Sequence, residues 1–255
     1  MLQVEVIEPA VKGTLNVLKA SVEVKIKRFV FVSSGAAVGL NPSWPKDRVM
    51  DETCWSDKEY CRTTKVAPVE FTSTSNSDEL LVILYFSIAD NFEITGIVFP
   101  KRKLKVRLWS LEKESGLDVV SVCPTLILGP LLQSTLNSSS LVLVKLLKEG
   151  YETVENKLRM IVDVRDVAEA LLLAYEKPEA EGRYICTAYI IRAQEFVDKV
   201  KSIYPNYKYP KNFTQPGEER VLTSEKLQKL GWSYRPLEET FVDSVESYQK
   251  AGILN

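Results

Sequence analysis

The sequence predicts an α/β fold, a parallel sheet with helices on both faces. Two strand-like runs and the helical spacing before each carry that expectation. Lys-Arg-Phe-Val-Phe-Val-Ser-Ser (27–34) is a compact β-rich run ending in small residues. Leu-Asp-Val-Val-Ser-Val-Cys (117–123), closed by Pro124, repeats the pattern. Near-continuous apolar runs of this length suit strands buried on both faces. Before the first run, residues 7–21 bring Ile7, Val11, Leu15, Val17, Leu18 and Val22 to helical spacing, with Gly13 tolerated inside. Before the second, Leu111–Gly116 ends like a helix with glycine at its C-cap. Helix and strand in alternation argue for parallel pairing. Functional groups in such sheets gather at the carboxyl ends of strands, which places Ser33, Ser34, Pro124 and Thr125 there.

The later elements follow in order. Ile161–Ala170 reads as a short strand entering a helix, capped by Asp163 or Asp166, with a catalytic role for either as the alternative. Gly182–Cys186 is another short strand. Residues 193–203 and 223–230 are amphipathic helices, and 237–251 forms a terminal one. No internal repeat or low-complexity linker interrupts them.

Composition narrows the function. At 255 residues the chain makes one α/β domain, or one with a small appendage. Its net charge of −1 gives no electrostatic case for nucleic acid or an anionic membrane. The basic stretch at 101–107 is too local to change that. The absence of histidine excludes His-based triads, His-ligated zinc and His acid–base catalysis. Cys54, Cys61, Cys123 and Cys186 match no metal-binding spacing, so no metal is expected, and they read as buried thiols of a cytoplasmic protein. The first residues contain acids and no long apolar core, so no signal peptide is expected. The longest apolar run, Leu80–Ala89, is too short to span a bilayer, which needs about 20 residues.

Six segments together resemble the cinnamoyl-CoA reductase-like group of plant extended short-chain dehydrogenases, close to dihydroflavonol reductases. They are Glu-Pro-Ala-Val-Lys-Gly-Thr-Leu-Asn-Val-Leu (8–18), Val-Phe-Val-Ser-Ser (30–34), Asp-Glu-Thr-Cys-Trp-Ser-Asp (51–57), Cys-Pro-Thr-Leu-Ile-Leu-Gly-Pro-Leu-Leu-Gln (123–133), Val-Asp-Val-Arg-Asp-Val-Ala (162–168) and Gly-Arg-Tyr-Ile-Cys (182–186). The resemblance implies a partial Rossmann-type sheet over 1–130 and a mainly substrate-binding region over 131–255, some of whose segments return to the sheet. It implies NADPH-dependent reduction of an aromatic CoA thioester or carbonyl, with dihydroflavonols as the second substrate class. In that chemistry a serine hydroxyl polarises the carbonyl oxygen, and a tyrosine donates the proton. A lysine one helical turn later lowers the tyrosine pKa. Ser34 matches the family serine, its alternative being a strand-end hydroxyl satisfied by backbone. Pro124, Thr125, Leu126 and Ile127 match the segment lining the nicotinamide. Ser139 matches a residue near the cofactor, or else is a solvated loop serine. The segment after Pro130 and residues 187–222 are expected to shape the substrate pocket.

The chain departs from the family pattern twice. A Gly-x-x-Gly-x-x-Gly turn, which holds the cofactor pyrophosphate at a helix N-terminus, precedes the first matching segment in the family and is not found here. Its loss would weaken cofactor binding and leave Phe29–Val32 on an unpaired strand edge. The Tyr-x-x-x-Lys pair is missing as well. The literal matches Tyr204/Lys208 and Tyr207/Lys211 are interrupted by Pro205 and Pro210, so neither pair can share a helical face.

The genetic code offers an account of residues 66–110. Ile94–Lys101 can be encoded ATA ACT GGT ATT GTC TTT CCA AAA. Read from each third base, this gives Asn-Trp-Tyr-Cys-Leu-Ser-Lys, the family's catalytic segment. With AAG as the Lys101 codon, the same shift running through 102–109 into the codon of Ser110 permits Glu-Glu-Ala-Glu-Ser-Glu-Ala-Leu-Glu, the acidic helix that follows it. Lys65-Val66 permits AAG GTA, a splice donor. Residues 66–93 then read as a translated intron, and 94–109 as the catalytic exon out of frame. A chain so altered is expected to be inactive; a non-catalytic role, binding a partner through the exposed sheet edge, is the further alternative.

Overall fold

The computed structural model describes residues 8–57, 60–61 and 116–254. The expectations for 66–110, including the loose packing of its first part, and for the helix ending at Gly116 lie outside the described residues, as does Ile7. The order is α1 (Glu8–Glu23), β1 (Arg28–Val32), β2 (Asp118–Pro124), β3 (Leu126–Leu128), α2 (Ser138–Lys148), β4 (Thr153–Glu155), β5 (Leu158–Asp163) and α3 (Val164–Glu176). Then follow β6 (Gly182–Cys186), β7 (Tyr189–Arg192), α4 (Ala193–Ile203), β8 (Asn212–Thr214), α5 (Glu225–Lys229) and α6 (Leu237–Lys250).

The first sheet has the order β1-β2-β6, and every pair is parallel. Arg28 stands opposite Asp118 and Val32 opposite Val122, so Ser34 and Pro124 emerge at the same sheet end, as the sequence implied. Strand alternation sorts the side chains to two faces. Phe31 and Val119 pack with Leu18 of α1, whereas Val120 and Val122 pack with Ala170 and Ala174 of α3. The helices therefore do cover both faces. On α1 the buried stripe is Thr14, Leu18 and Ser21, with Leu15 and Val22 beside it, while Val17 faces outward. Among the described residues, β1 is the sheet edge. Arg28 fixes that edge strand to the helix above it. Its Nε donates to Asp118 at 2.7 Å, and its Nη1 donates to the carbonyls of Ala174 at 2.9 Å and Lys177 at 2.6 Å, at the end of α3 where a cation suits the dipole.

A second sheet pairs β3 parallel to β5, and β5 antiparallel to β7; β4 and β8 form a two-stranded parallel ribbon. These short strands and α2 carry no clear period in the sequence. Burial in the second core places them: Leu143 and Leu147 of α2, Phe196 of α4, and Phe241 and Tyr248 of α6 close over the sheet. Phe196 and Phe241 meet edge to face at 4.9 Å. Glycine is required where β3 ends, because Gly129 has φ +121° and a Cβ there would sit 2.9 Å from Val164 Cγ1 and 3.1 Å from Asp163 Oδ1. No helix among the described residues is long and apolar enough to cross a membrane.

Candidate active site

A cavity of about 560 Å³ opens at the carboxyl ends of β1 and β2 and extends beneath α2 to β4 and β5. Ser34, Thr125, Leu126 and Ser139 all line it. The wall between them is mainly aliphatic, with Leu40, Val142, Leu146, Met160 and Leu222 contributing.

Ser34 sits just past β1, where a short 3-10 turn (Gly35–Ala37) begins. Its Oγ accepts from the Ala36 N–H at 3.2 Å, so it caps that turn. The local backbone role foreseen for a strand-end serine is therefore present. A hydroxyl has one hydrogen to donate in addition, and Ser34 turns toward the cavity with no acceptor for it among the described residues. The turn is held from behind by the 51–57 motif. Ser56 Oγ donates to the Ala36 carbonyl at 2.7 Å and accepts from the Leu40 N–H at 2.8 Å. The Asp57 N–H donates to the Leu40 carbonyl at 2.7 Å. The motif is in turn tied to β6, because Glu52 accepts from the Ile185 N–H at 2.9 Å and Arg183 donates to the Cys54 carbonyl at 2.7 Å. The Arg183 guanidinium also lies over the Trp55 ring, its Cζ 3.2 Å from the centroid. The motif thus serves to position the Ser34 turn.

Thr125 faces Ser34 across Gly35. Its N–H donates to the Cys186 carbonyl at 3.1 Å, while its buried Oγ1 has no partner among the described residues. A Cβ on Gly35 would lie 2.9 Å from Thr125 Cγ2 and 3.3 Å from Leu222. Gly35→Ala is therefore expected to cost about 1–3 kcal/mol and to push Thr125 from the cavity wall. Urea denaturation monitored by tryptophan fluorescence checks the stability loss; an unchanged midpoint would show that the contact relaxes freely.

The remaining sequence-derived residues divide. Ser139 is not a loop serine: it lies buried in the first turn of α2, whose N-cap Asn137 accepts from the Ser140 N–H at 2.8 Å. Pro124 and Ile127 lie outside the cavity wall. Pro124 is buried as the last residue of β2, and Ile127 packs into the core shared by β2 and α3. Strand alternation across β3 separates Ile127 from its neighbour Leu126. The segment after Pro130 does shape the cavity, through residues 138–160, whereas 187–222 supplies Leu222 alone among the described residues. The rest of 187–222 is spent on β7, α4 and β8, which complete the second core.

Neither literal Tyr/Lys match enters the cavity. Tyr204 caps the end of α4, and Lys208 follows beyond the helix with its N–H on the Leu147 carbonyl at 3.1 Å. Tyr151 is the phenol that does line it. Burial and the neighbouring Glu149 push Tyr151 up to about 12, opposite to the shift a proton-donating tyrosine of this chemistry receives. Asp163 caps α3 by accepting from the Arg165 N–H at 2.9 Å, and Asp166 pairs with Arg235 at 2.9 Å. Both are structural. The sequence analysis missed Lys157 and Arg159, which bring positive charge to the cavity from β5 and the residue before it. Their alternation with Leu158 and Met160 was the available signal.

No protein-family model matches the chain. Over 254 residues it is 34% identical to cinnamoyl-CoA reductase 1 of Petunia hybrida, covering 98% of this chain and 68% of that protein. It thus spans about two thirds of that relative's length. Among solved structures, vestitone reductase from alfalfa superposes with a TM-score of 0.73 at 25% identity, over 98% of this chain and 73% of that one. Gre2 from Candida albicans in complex with NADPH gives a TM-score of 0.70 at 22% identity, over 98% and 72%.

Proposed function

Because this chain belongs to the cinnamoyl-CoA reductase-like reductases of plants, we propose that its cavity is the site of an NADPH-dependent reduction of an aromatic CoA thioester or carbonyl in phenylpropanoid metabolism, and that the chain as written is itself inactive. One observation carries the reading of the site. Ser34, Thr125 and Ser139 meet on one mainly aliphatic cavity at the carboxyl ends of two parallel strands, where ligands of such sheets bind.

The residues fit the nicotinamide end of the cofactor. Thr125 Oγ1 is a buried polar atom at that end of the sheet without a partner among the described residues, and Ser139 lies across the same cavity. When bound, the cofactor supplies hydride to the carbonyl carbon. Ser34 donates its hydroxyl hydrogen to the oxygen on which negative charge develops, and its place on a clamped turn keeps that donor oriented beforehand. The aliphatic wall takes the aromatic ring and excludes water. Residues 1–130 then form mainly the cofactor-binding part and 131–255 mainly the substrate-binding part, with β6 returning to the first sheet. We place the protein in the cytoplasm, because its four cysteines are all buried free thiols.

A flavonoid-type ketone is the second reading, favoured by the likeness to vestitone reductase. Steady-state assays decide between them, using a repaired full-length chain in which the glycine-rich turn is restored and residues 66–109 are replaced by the family segment. Turnover of cinnamoyl-CoA is expected to exceed that of a dihydroflavonol. The reverse order would reassign the substrate, and turnover of neither would refute the proposed activity.

A further inference from the structure

We propose that Arg159 is a specificity-determining residue of this cavity, binding an anionic oxygen group of the substrate, a carboxylate or a phosphate, with Lys157 beside it. The inference rests on the cavity being the substrate site. Its observations concern charge rather than catalysis.

Alone among the described arginines, Arg159 has neither a hydrogen bond nor an ion pair. Arg28, Arg48, Arg165, Arg192, Arg220 and Arg235 each pair with a carboxylate, and Arg183 donates to two carbonyls. Arg159 lies on β5, half-buried, with its Nε wholly buried and unpartnered, and it lines the cavity. The acid nearest in influence, Glu155, is already engaged: it accepts from the Gly217 N–H at 3.1 Å and faces Lys157 Nζ at 3.6 Å. The third cation on the wall, Lys145, faces Glu149 at 3.6 Å. Burial holds both Arg159 and Lys157 below their ordinary values, and the Arg159 charge adds to the lowering at Lys157.

A guanidinium whose Nε is buried and unpartnered is costly, and pairing relieves that cost. Its planar fork matches the two oxygens of a carboxylate or phosphate. Lys157 and Arg159 are two residues apart on extended backbone, so they project on the same side. Leu158 and Met160 line the same cavity, so an anion held by Arg159 would leave its apolar body against the aliphatic wall.

The test is calorimetric titration of the full chain with p-coumarate, its neutral methyl ester, and inorganic phosphate. The acid is expected to bind at least about tenfold tighter than the ester, the size of one charged hydrogen-bonded contact. Arg159→Gln should abolish that preference while leaving the ester's affinity unchanged, and Arg159→Lys should restore part of it. Phosphate binding that depends on Arg159, with no preference for the acid, would assign the anion to a phosphoryl-bearing part of the substrate. Equal affinity for acid and ester, with no phosphate binding, overturns the inference. So does a preference that survives in Arg159→Gln. Should that variant not fold, the wild-type comparison decides alone. Ester binding without anion preference leaves the reductase reading standing, because that reading fails on turnover by the repaired chain.

Discussion

NADPH oxidation by the chain as written, with cinnamoyl-CoA, should run at least about 10²–10⁴-fold below that of a full-length chain in which the glycine-rich turn is restored and residues 66–109 are replaced by Asn-Trp-Tyr-Cys-Leu-Ser-Lys and the acidic helix that follows it. The magnitude is that of a general acid. In the proposed reaction Ser34 donates a hydrogen bond to the oxyanion, but a hydrogen bond does not deliver the proton that completes the alcohol. Tyr151 is the phenol on the cavity wall, and its upward shift to about 12 marks a group tuned away from that task. Lys145 and Lys157 are each opposed by a carboxylate and stand in no helical register with a tyrosine. Spectrophotometric assay of the two chains at equal concentration gives the ratio. Turnover by the chain as written, abolished by Ser34→Ala, would show that groups not identified here supply the proton.

Legibility in the sequence followed the strength of the local signal. β1, β2 and β6 were readable because strands buried on both faces leave near-continuous apolar runs. The structure returns 28–32 and 118–124 side by side and parallel. Helices α4 and α6 were readable from one buried stripe each, such as Phe196, Val197 and Val200 on α4. The three-residue strands β3, β4 and β8 were not, because three residues hold no period and tertiary packing alone defines them. The same limit applies to the site. Strand-end position marks Ser33, Ser34, Pro124 and Thr125 alike, and only the resemblance to the family serine singles out Ser34; the structure adds why it stays there: the 51–57 motif, far in sequence, clamps its turn. Arg159 could not be found from composition, because a lone arginine in a strand reads as a solvated charge. Alternation with Leu158 and Met160 marks its strand face, and the buried Nε without a partner among the described residues gives it meaning. Ile127 shows the converse, where family likeness marks a segment but alternation decides which of its side chains reach the cavity.

Asp163→Ala is expected to cost about 2–5 kcal/mol near neutral pH, the sum of a lost helix cap and lost hydrogen bonds to a charged group. The carboxylate has no exposed side-chain surface, and it joins three elements. It caps α3 through the Arg165 N–H at 2.9 Å, binds the Arg165 side chain at 2.9 Å, and stands 3.6 Å from Arg235 Nε. Arg165 reaches on to Asp243 of α6 at 2.6 Å, so the network ties the second core to the first. Removing Asp163 takes one of several carboxylates from Arg165, which keeps Asp243, and from Arg235, which keeps Asp166; it also leaves α3 without its cap, itself worth about 0.5–2 kcal/mol. The pH dependence has a definite sign. Burial alone would raise the Asp163 pKa, but the Arg165 hydrogen bonds and charge outweigh it, and the pKa lies below the ordinary carboxylate value. A depressed folded pKa contributes stability that is complete above the unfolded value of about 3.9 and is lost as pH falls through the folded one. Asp166 shifts upward, chiefly through burial, so its contribution runs the other way over the acid range and partly offsets Asp163 in the wild-type curve. The wild-type minus Asp163→Ala difference cancels the burial part of that offset and leaves only the part that the Asp163 charge adds to Asp166. It should stay large and flat from neutral pH down to about 4–5 and shrink below it. Urea unfolding of both proteins across pH 3–7 measures it, and a difference independent of pH would mean that the ion pairs contribute nothing and only the packing of the side chain matters.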